Sequence, residues 1–91
     1  MKNKTITYPA IFKKESPEGY YIEFPDIKEA YSGSTSDDMK FAMEMAQKAL
    51  KMVAKVYMEN DMRLPKPTSL NEIRVNQGSI VKQICITIEE D

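Results

Sequence analysis

The feature that most constrains the fold is one long helical pattern near the middle of the chain. From about Asp37 to Asn60, apolar residues return every three to four positions, which places them on one face of a helix. This face is formed by Met39, Ala42, Met43, Ala46, Leu50, Val53 and Tyr57. The opposite face carries Lys40, Glu44, Lys48, Lys51 and Lys55. The pattern predicts an amphipathic helix of roughly six to seven turns that covers a sheet.

The chain before this helix alternates with the period of β-strands. Residues 5–14, "TITYPAIFKK", predict a first strand, and residues 20–24 predict a second. Between them, "ESPEG" provides Pro17 and a glycine, which are typical turn residues. Two strands joined by so short a polar segment predict a β-hairpin. We expect a short third strand near Glu29 to Ser32.

The second strand ends abruptly at Phe-Pro-Asp. Pro25 has no amide hydrogen to give to a strand ladder, and it pushes Phe24 toward extended geometry, so the strand cannot continue. Asp26 can accept a hydrogen bond from nearby backbone and hold the turn. No second acid or base lies at a recognisable spacing. We therefore interpret Pro25 and Asp26 as structural turn residues, in preference to a catalytic role for Asp26.

The segments on either side of the helix indicate how it begins and how the chain continues after it. Residues 32–38, "SGSTSDD", supply capping residues, and we expect acids in the first helical turn. After the helix, a proline-containing linker leads to Ser69 and Glu72, which are spaced as a capping box. Alternation from about Ser79 to Ile88 predicts a final strand. The element order β-β-β-α-β indicates a single α+β domain.

A second set of apolar residues widens the helix face beyond what one sheet needs. These residues, which we call the helical stripe, are Phe41, Met45, Met52 and Val56. One interpretation is that the C-terminal segment around Leu70 and Ile73 packs over the stripe. The other is that a partner protein does, since methionine-rich surfaces suit adaptable binding. The helical stripe is our candidate partner-binding site.

Composition excludes several classes of function. The 91 residues contain no histidine, which removes the usual general base and the commonest zinc ligand. The predicted first strand contains no acid that could hold magnesium, so we expect no catalytic residue, metal or cofactor. A single cysteine, Cys85, cannot form an internal disulfide, and its position in "ICITI" predicts a buried small side chain.

Charge and hydropathy limit the partners and the compartment. The formal net charge is −1, with 13 basic and 14 acidic residues, so nucleic acid is not the expected partner of this chain. No apolar run approaches the roughly 20 residues that span a bilayer, and the N-terminus has no secretory signal pattern. We expect a cytoplasmic protein without a membrane partner.

Four short motifs, in this order, resemble the HicB antitoxins of bacterial toxin–antitoxin systems. They are "YPAIF" in the first strand, "GYYIEFPDI" in the second, "AMEMAQKAL" in the helix and "LPKPTSL" after it. The resemblance implies a partial RNase H-like fold over residues 1–91, with an antiparallel three-strand meander, a long helix and a returning fourth strand. The sequence "IKEA" after Asp26 departs from the usual family pattern.

The resemblance also implies a function. HicB antitoxins bind a small HicA toxin, which cleaves mRNA, and cover its active site, so we expect a non-enzymatic antitoxin with a HicA-like partner and a capacity to form a homo-oligomer. The C-terminal DNA-binding domain usual in the family is absent from this chain, and DNA binding is not expected of it. The alternative is a stand-alone HicB-like interaction or regulatory module without a toxin partner. A small enzyme is the third hypothesis.

Overall fold

The computed structural model describes residues 2–14 and 18–90, and the turn predicted at Pro17 lies outside them. The elements, in chain order, are β1 (Lys2–Lys13), β2 (Tyr20–Glu23), β3 (Tyr31–Ser34), α1 (Met39–Glu59), a 3₁₀ turn (Leu70–Glu72) and β4 (Ile80–Glu90). The predicted order β-β-β-α-β and the α+β class are confirmed. Among the described residues, no helix combines the length and the hydropathy needed to cross a membrane.

The strands form one four-stranded sheet in the order β3-β2-β1-β4, with every neighbouring pair antiparallel. The ladder between β1 and β4 is long and runs from Lys2 opposite Glu90 to Phe12 opposite Ile80. The ladder between β1 and β2 is short. The fourth strand therefore returns beside the first, while β3 and β4 form the two edges of the sheet.

Helix α1 packs on one face of this sheet through small residues. Ala42, Ala46 and Ala54 are fully buried, so the helix axis can approach the strands closely, and Leu50 fills the space between them. The sheet contributes Tyr8, Ala10, Phe12, Ile22, Ile84, Ile86 and Ile88 to the same core. The remaining residues of the predicted helix face, Met39, Met43, Val53 and Tyr57, pack against it while partly exposed.

The start of α1 differs from the prediction. The acids expected in the first turn lie before the helix, and that turn contains none. Asp38 is the N-cap residue, and its carboxylate accepts the backbone N–H of Lys40 at 3.0 Å. Asp37 accepts the N–H of Gly19 at 2.8 Å and pairs with Lys14. Short carboxylates satisfy unpaired N–H groups better from a capping position than from inside the helix, which explains the shift.

The connection from β2 to β3 is a pair of consecutive turns. Because of these turns, β3 begins later in the sequence than predicted. The N–H of Ile27 donates to the carbonyl of Phe24 at 3.2 Å, and the N–H of Ala30 donates to the carbonyl of Ile27 at 3.0 Å. All three side chains are buried in the core. Because these turns consume the residues after Pro25, β3 begins at Tyr31 and not near Glu29 as predicted.

Two local predictions in the C-terminal part are wrong. Cys85 is exposed, because strand alternation sends Ile84 and Ile86 into the core and Cys85 to the other face. The side chain of Ser69 makes no capping bond; its carbonyl instead accepts the N–H of Glu72 at 2.9 Å. A single 3₁₀ turn closes through that backbone bond and needs no capping box.

Candidate partner-binding surface

The Phe-Pro-Asp turn holds the linker that connects the helix to the 3₁₀ turn. The carboxylate of Asp26 accepts the backbone N–H of Thr68 at 2.9 Å and also the Thr68 hydroxyl. We expected a hydrogen bond from nearby backbone, whereas the observed donor lies 42 residues away in sequence. The hydroxyl of Tyr8 donates to the carbonyl of Pro65 in the same linker. Asp26 therefore joins two distant segments, while Pro25 is exposed within the turn.

Two tyrosine hydroxyls in this part of the molecule, that of Tyr8 at the junction and that of Tyr57 beside Glu29, remain protonated. Burial raises the pKa of Tyr8, and the negative charge of Asp26 raises it further. Desolvation, followed by the nearby Glu29 carboxylate, raises the pKa of Tyr57, whose hydroxyl lies 3.3 Å from both Glu29 oxygens. With pKa values above the ordinary value of 10.0, both phenols serve as hydrogen-bond donors and not as bases.

The helical stripe is largely exposed. The exposed fraction is 43% for Phe41, 68% for Met52 and 50% for Val56. Met45 is the exception, because it is partly buried and packs against the core. The C-terminal segment does not cover the stripe: its anchoring contacts lie at Leu64, Pro65 and Thr68, and its Leu70 is itself 44% exposed.

The stripe borders an open groove between α1 and the edge strand β3. The groove is lined by Glu29, Tyr31, Ser32, Met45, Lys48, Ala49, Met52 and Val53. Its lining is mainly apolar, with one acidic and one basic side chain. Tyr31, at the start of β3, is 64% exposed and extends the apolar surface across the groove. We call the helical stripe together with Tyr31 the docking surface.

Tyr31 was not among the residues predicted for this surface. The predicted third strand began near Glu29 and gave no reason to connect Tyr31 with Met52. The signal in the sequence was weak, since one aromatic residue in a strand of four residues is compatible with the core or with solvent. Only the packing of α1 across β3 brings Tyr31 to the same groove as Met45 and Met52 of the helical stripe.

The rest of the described surface carries paired charges on the sheet but no cluster of metal-ligating side chains. In residues 2–14 and 18–90, no three His, Cys, Asp or Glu side chains come together to hold a metal ion. Glu23 lies on the outer face of the sheet and pairs with Lys13 at 2.7 Å. The most distinctive surface that the structure describes is thus an apolar one next to an edge strand, which is suited to contact with another protein.

Comparison with known proteins identifies the family of the chain. The family model described as "HicB_like antitoxin of bacterial toxin-antitoxin system" matches residues 8–90. The chain belongs to this HicB-like family. Two curated relatives, Antitoxin HicB 1 and Antitoxin HicB 2 of Photorhabdus laumondii, are 35% identical over 65 residues and 34% identical over 70 residues.

These matches cover 70% and 77% of this HicB-like chain. They cover only 40% and 48% of the two relatives, so the chain spans less than half the length of either.

Solved structures share the HicB-like fold. A toxin–antitoxin complex from Streptococcus pneumoniae contains a chain that aligns with a TM-score of 0.75 and 21% identity, covering 90% of this chain and 69% of that one. A HicA3 and HicB3 toxin–antitoxin complex gives a TM-score of 0.62 and 22% identity, covering 86% and 94%. At these identities the likeness establishes the common fold.

Proposed function

We propose that this chain is an antitoxin that binds a HicA-like mRNA-cleaving toxin and covers its active site. Membership of the HicB-like family supports the antitoxin role. The complexes that share its fold are toxin–antitoxin complexes, which supports a toxin as the partner. In this proposal the chain blocks the toxin sterically and contributes no catalytic group of its own.

The docking surface is the part of the molecule that we assign to toxin binding. The observation that carries this assignment is the exposure of Phe41, Met52 and Val56 on an ordered helix whose other apolar face is buried. A fully buried apolar side chain contributes roughly 1.5–3 kcal/mol before the cost of ordering both partners. Burial of two such side chains would therefore account for a useful part of the binding free energy.

The open edge of β3 gives the toxin a second means of attachment. Among the residues that the structure describes, strand β3 pairs with a neighbour on one side only, and it lies directly beside the docking surface. An extended segment of the toxin can add to this edge through backbone hydrogen bonds, while its side chains contact Tyr31 and Met52. The short length of β3 limits such a ladder, so the apolar contacts set most of the affinity.

Co-expression with the product of the adjacent gene tests this function. We expect the wild-type chain to restore growth to cells that express the toxin and to co-purify with it. The double variant Phe41→Ser with Met52→Ser should lose rescue and co-purification, because it removes two exposed anchors. Its circular-dichroism spectrum and melting temperature should remain close to those of the wild type.

A matched control separates loss of the docking surface from a general loss of apolar surface. Leu70→Ser with Val75→Ser removes two exposed apolar side chains of the segment that includes and follows the 3₁₀ turn. This control should retain rescue and toxin binding. Equal loss of binding in both double variants would contradict the assigned surface, and unfolding of the Phe41 and Met52 variant would place the stripe in the core. Failure of the wild type to bind or rescue would contradict the antitoxin function itself.

A further inference from the structure

The second edge of the sheet has the properties of a self-pairing strand. Strand β4 contains 11 residues and pairs with β1 on one side, and no other strand in the described part of the chain pairs with its outer side. The side-chain amide of Gln47 donates to the carbonyl of Cys85 at 3.1 Å, which shows that the backbone groups of Cys85 point away from β1. In antiparallel strands this direction alternates by residue. The outward residues are therefore Val81, Gln83, Cys85, Thr87 and Glu89.

This edge lacks the usual features that prevent strand addition. Natural edge strands are commonly protected by proline, by bulges, by short length or by closely spaced charges. Between Ile80 and Ile88, β4 contains no proline or glycine and a single charged residue, Lys82. Its ladder with β1 is continuous in register from end to end, which argues against a bulge. By contrast, β3 at the other edge has four residues and includes Gly33.

The helix beside this edge carries acidic and basic side chains that can pair with those of the same helix in a second copy of the chain. A groove between α1 and β4 is lined by Glu44, Gln47, Lys48 and Lys51 together with Cys85, Ile86 and Thr87. The helix and the strand progress in the same direction, since Gln47 lies at Cys85 while Lys51 and Lys55 lie near Thr87 and Glu89. A two-fold axis through Cys85 would thus place Glu44 of one copy opposite Lys51 of the other, and the reverse contact would form at the same time.

We propose that β4 pairs antiparallel with β4 of a second copy, about a two-fold axis at Cys85, to form a continuous eight-stranded sheet. The two copies of α1 then lie side by side on one face and are joined by two Glu44–Lys51 ion pairs. The carbonyl of Cys85 can accept both Gln47 and an incoming N–H, because a carbonyl oxygen has two lone pairs. The docking surface proposed for the toxin lies beside β3, at the opposite edge, so self-pairing leaves it accessible.

The lone cysteine of the chain is a built-in probe of this arrangement. Cys85 is exposed on the face of the sheet opposite α1, so two copies paired at this residue present both thiols on the same face. A short bismaleimide should then link Cys85 to Cys85 of the second copy, and the product should have twice the chain mass. Sedimentation of the untreated chain should show a monomer–dimer equilibrium.

A charge exchange at the helix flank tests the geometry without disturbing the core. Glu44→Lys and Lys51→Glu each place like charges opposite one another, and each should raise the dimer dissociation constant about tenfold. The double variant Glu44→Lys with Lys51→Glu restores opposite charges and should restore dimerisation and cross-linking. Lys66→Glu, an equally large charge change in the linker, should leave both unchanged.

Each outcome decides for or against the pairing. Loss in both single variants and recovery in the double variant support it. A chain that sediments as a monomer at every concentration overturns it. So does a dimer that is insensitive to the charge exchange or does not cross-link through Cys85, because such a dimer forms elsewhere. These measurements need no toxin, and their outcome is independent of the antitoxin function.

Discussion

Two glycines of this chain have similar backbone conformations and very different surroundings. Gly19 has a φ of 88° and Gly78 a φ of 94°. Residues with a Cβ rarely adopt this region of backbone conformation. A Cβ on Gly19 would lie 2.0 Å from the carbonyl oxygen of Ser34, whereas a Cβ on Gly78 would meet nothing within 4 Å. The first glycine is therefore needed for close approach as well as for its dihedral angle.

This difference predicts unequal costs for the same substitution. Gly78→Ala should lower the free energy of unfolding by about 1–2 kcal/mol, the cost of the dihedral angle. Gly19→Ala should lower it by roughly twice that or more, since the backbone of β3 must also move. Urea denaturation of both variants measures the difference. Equal costs would contradict the close contact between Gly19 and Ser34.

The junction between Asp26 and Thr68 makes a second prediction at this scale. Asp26→Ala leaves the Thr68 N–H and hydroxyl without their acceptor and should cost about 1–3 kcal/mol of stability. Thr68→Val removes only the hydroxyl bond and should cost less. Hydrogen exchange of the linker amides should accelerate more in the Asp26 variant. If Thr68→Val proved the more damaging change, the backbone bond would not be the main tether.

At the scale of the element, α1 presents neighbouring positions with opposite environments. Leu50 is fully buried against the sheet, and Met52, two residues later, is 68% exposed. Positions two apart lie on nearly opposite sides of a helix, because each residue turns it by about 100°. The same helix thus buries one side in the core of the domain and exposes another, where we propose that the partner binds.

Truncation of these two side chains should separate stability from binding. Leu50→Ala should cost about 2–5 kcal/mol, because it leaves a cavity under the helix. Met52→Ala should change stability by no more than about 0.5 kcal/mol. Thermal or urea unfolding measures both. A large loss of stability from Met52→Ala would show that this part of the helical stripe is buried.

At the scale of the whole molecule, charge and composition predict what the chain does not do alone. With a net charge of −1 and no histidine, it should neither bind DNA sequence-specifically at physiological salt nor cleave nucleic acid with magnesium or manganese. Gel-shift and cleavage assays on the purified chain check both statements. Cleavage that disappears on changing Asp26 or Glu23 would contradict a purely steric antitoxin.

The element order could be predicted because each element carries a local signal. Alternation marks the strands, three-to-four spacing marks α1, and Pro25 ends β2 without help from distant residues. Local signals failed where one residue type serves several roles. Asp37 and Asp38 are compatible with the first helical turn and with positions before it, and unpaired N–H groups at Lys40 and Gly19 decided between them.

What the sequence by itself determined is therefore the class of fold, the helix face that covers the sheet and the absence of histidine chemistry. It also indicated the helical stripe. The spacing of apolar residues alone shows that the apolar surface of the helix is wider than packing against one sheet requires. The tertiary structure decided which part of that arc stays exposed, that Tyr31 joins it, that Cys85 faces outward and that Asp26 holds Thr68. These features depend on contacts between residues far apart in the chain, and such contacts are fixed by packing and strand register, which local periodicity does not encode.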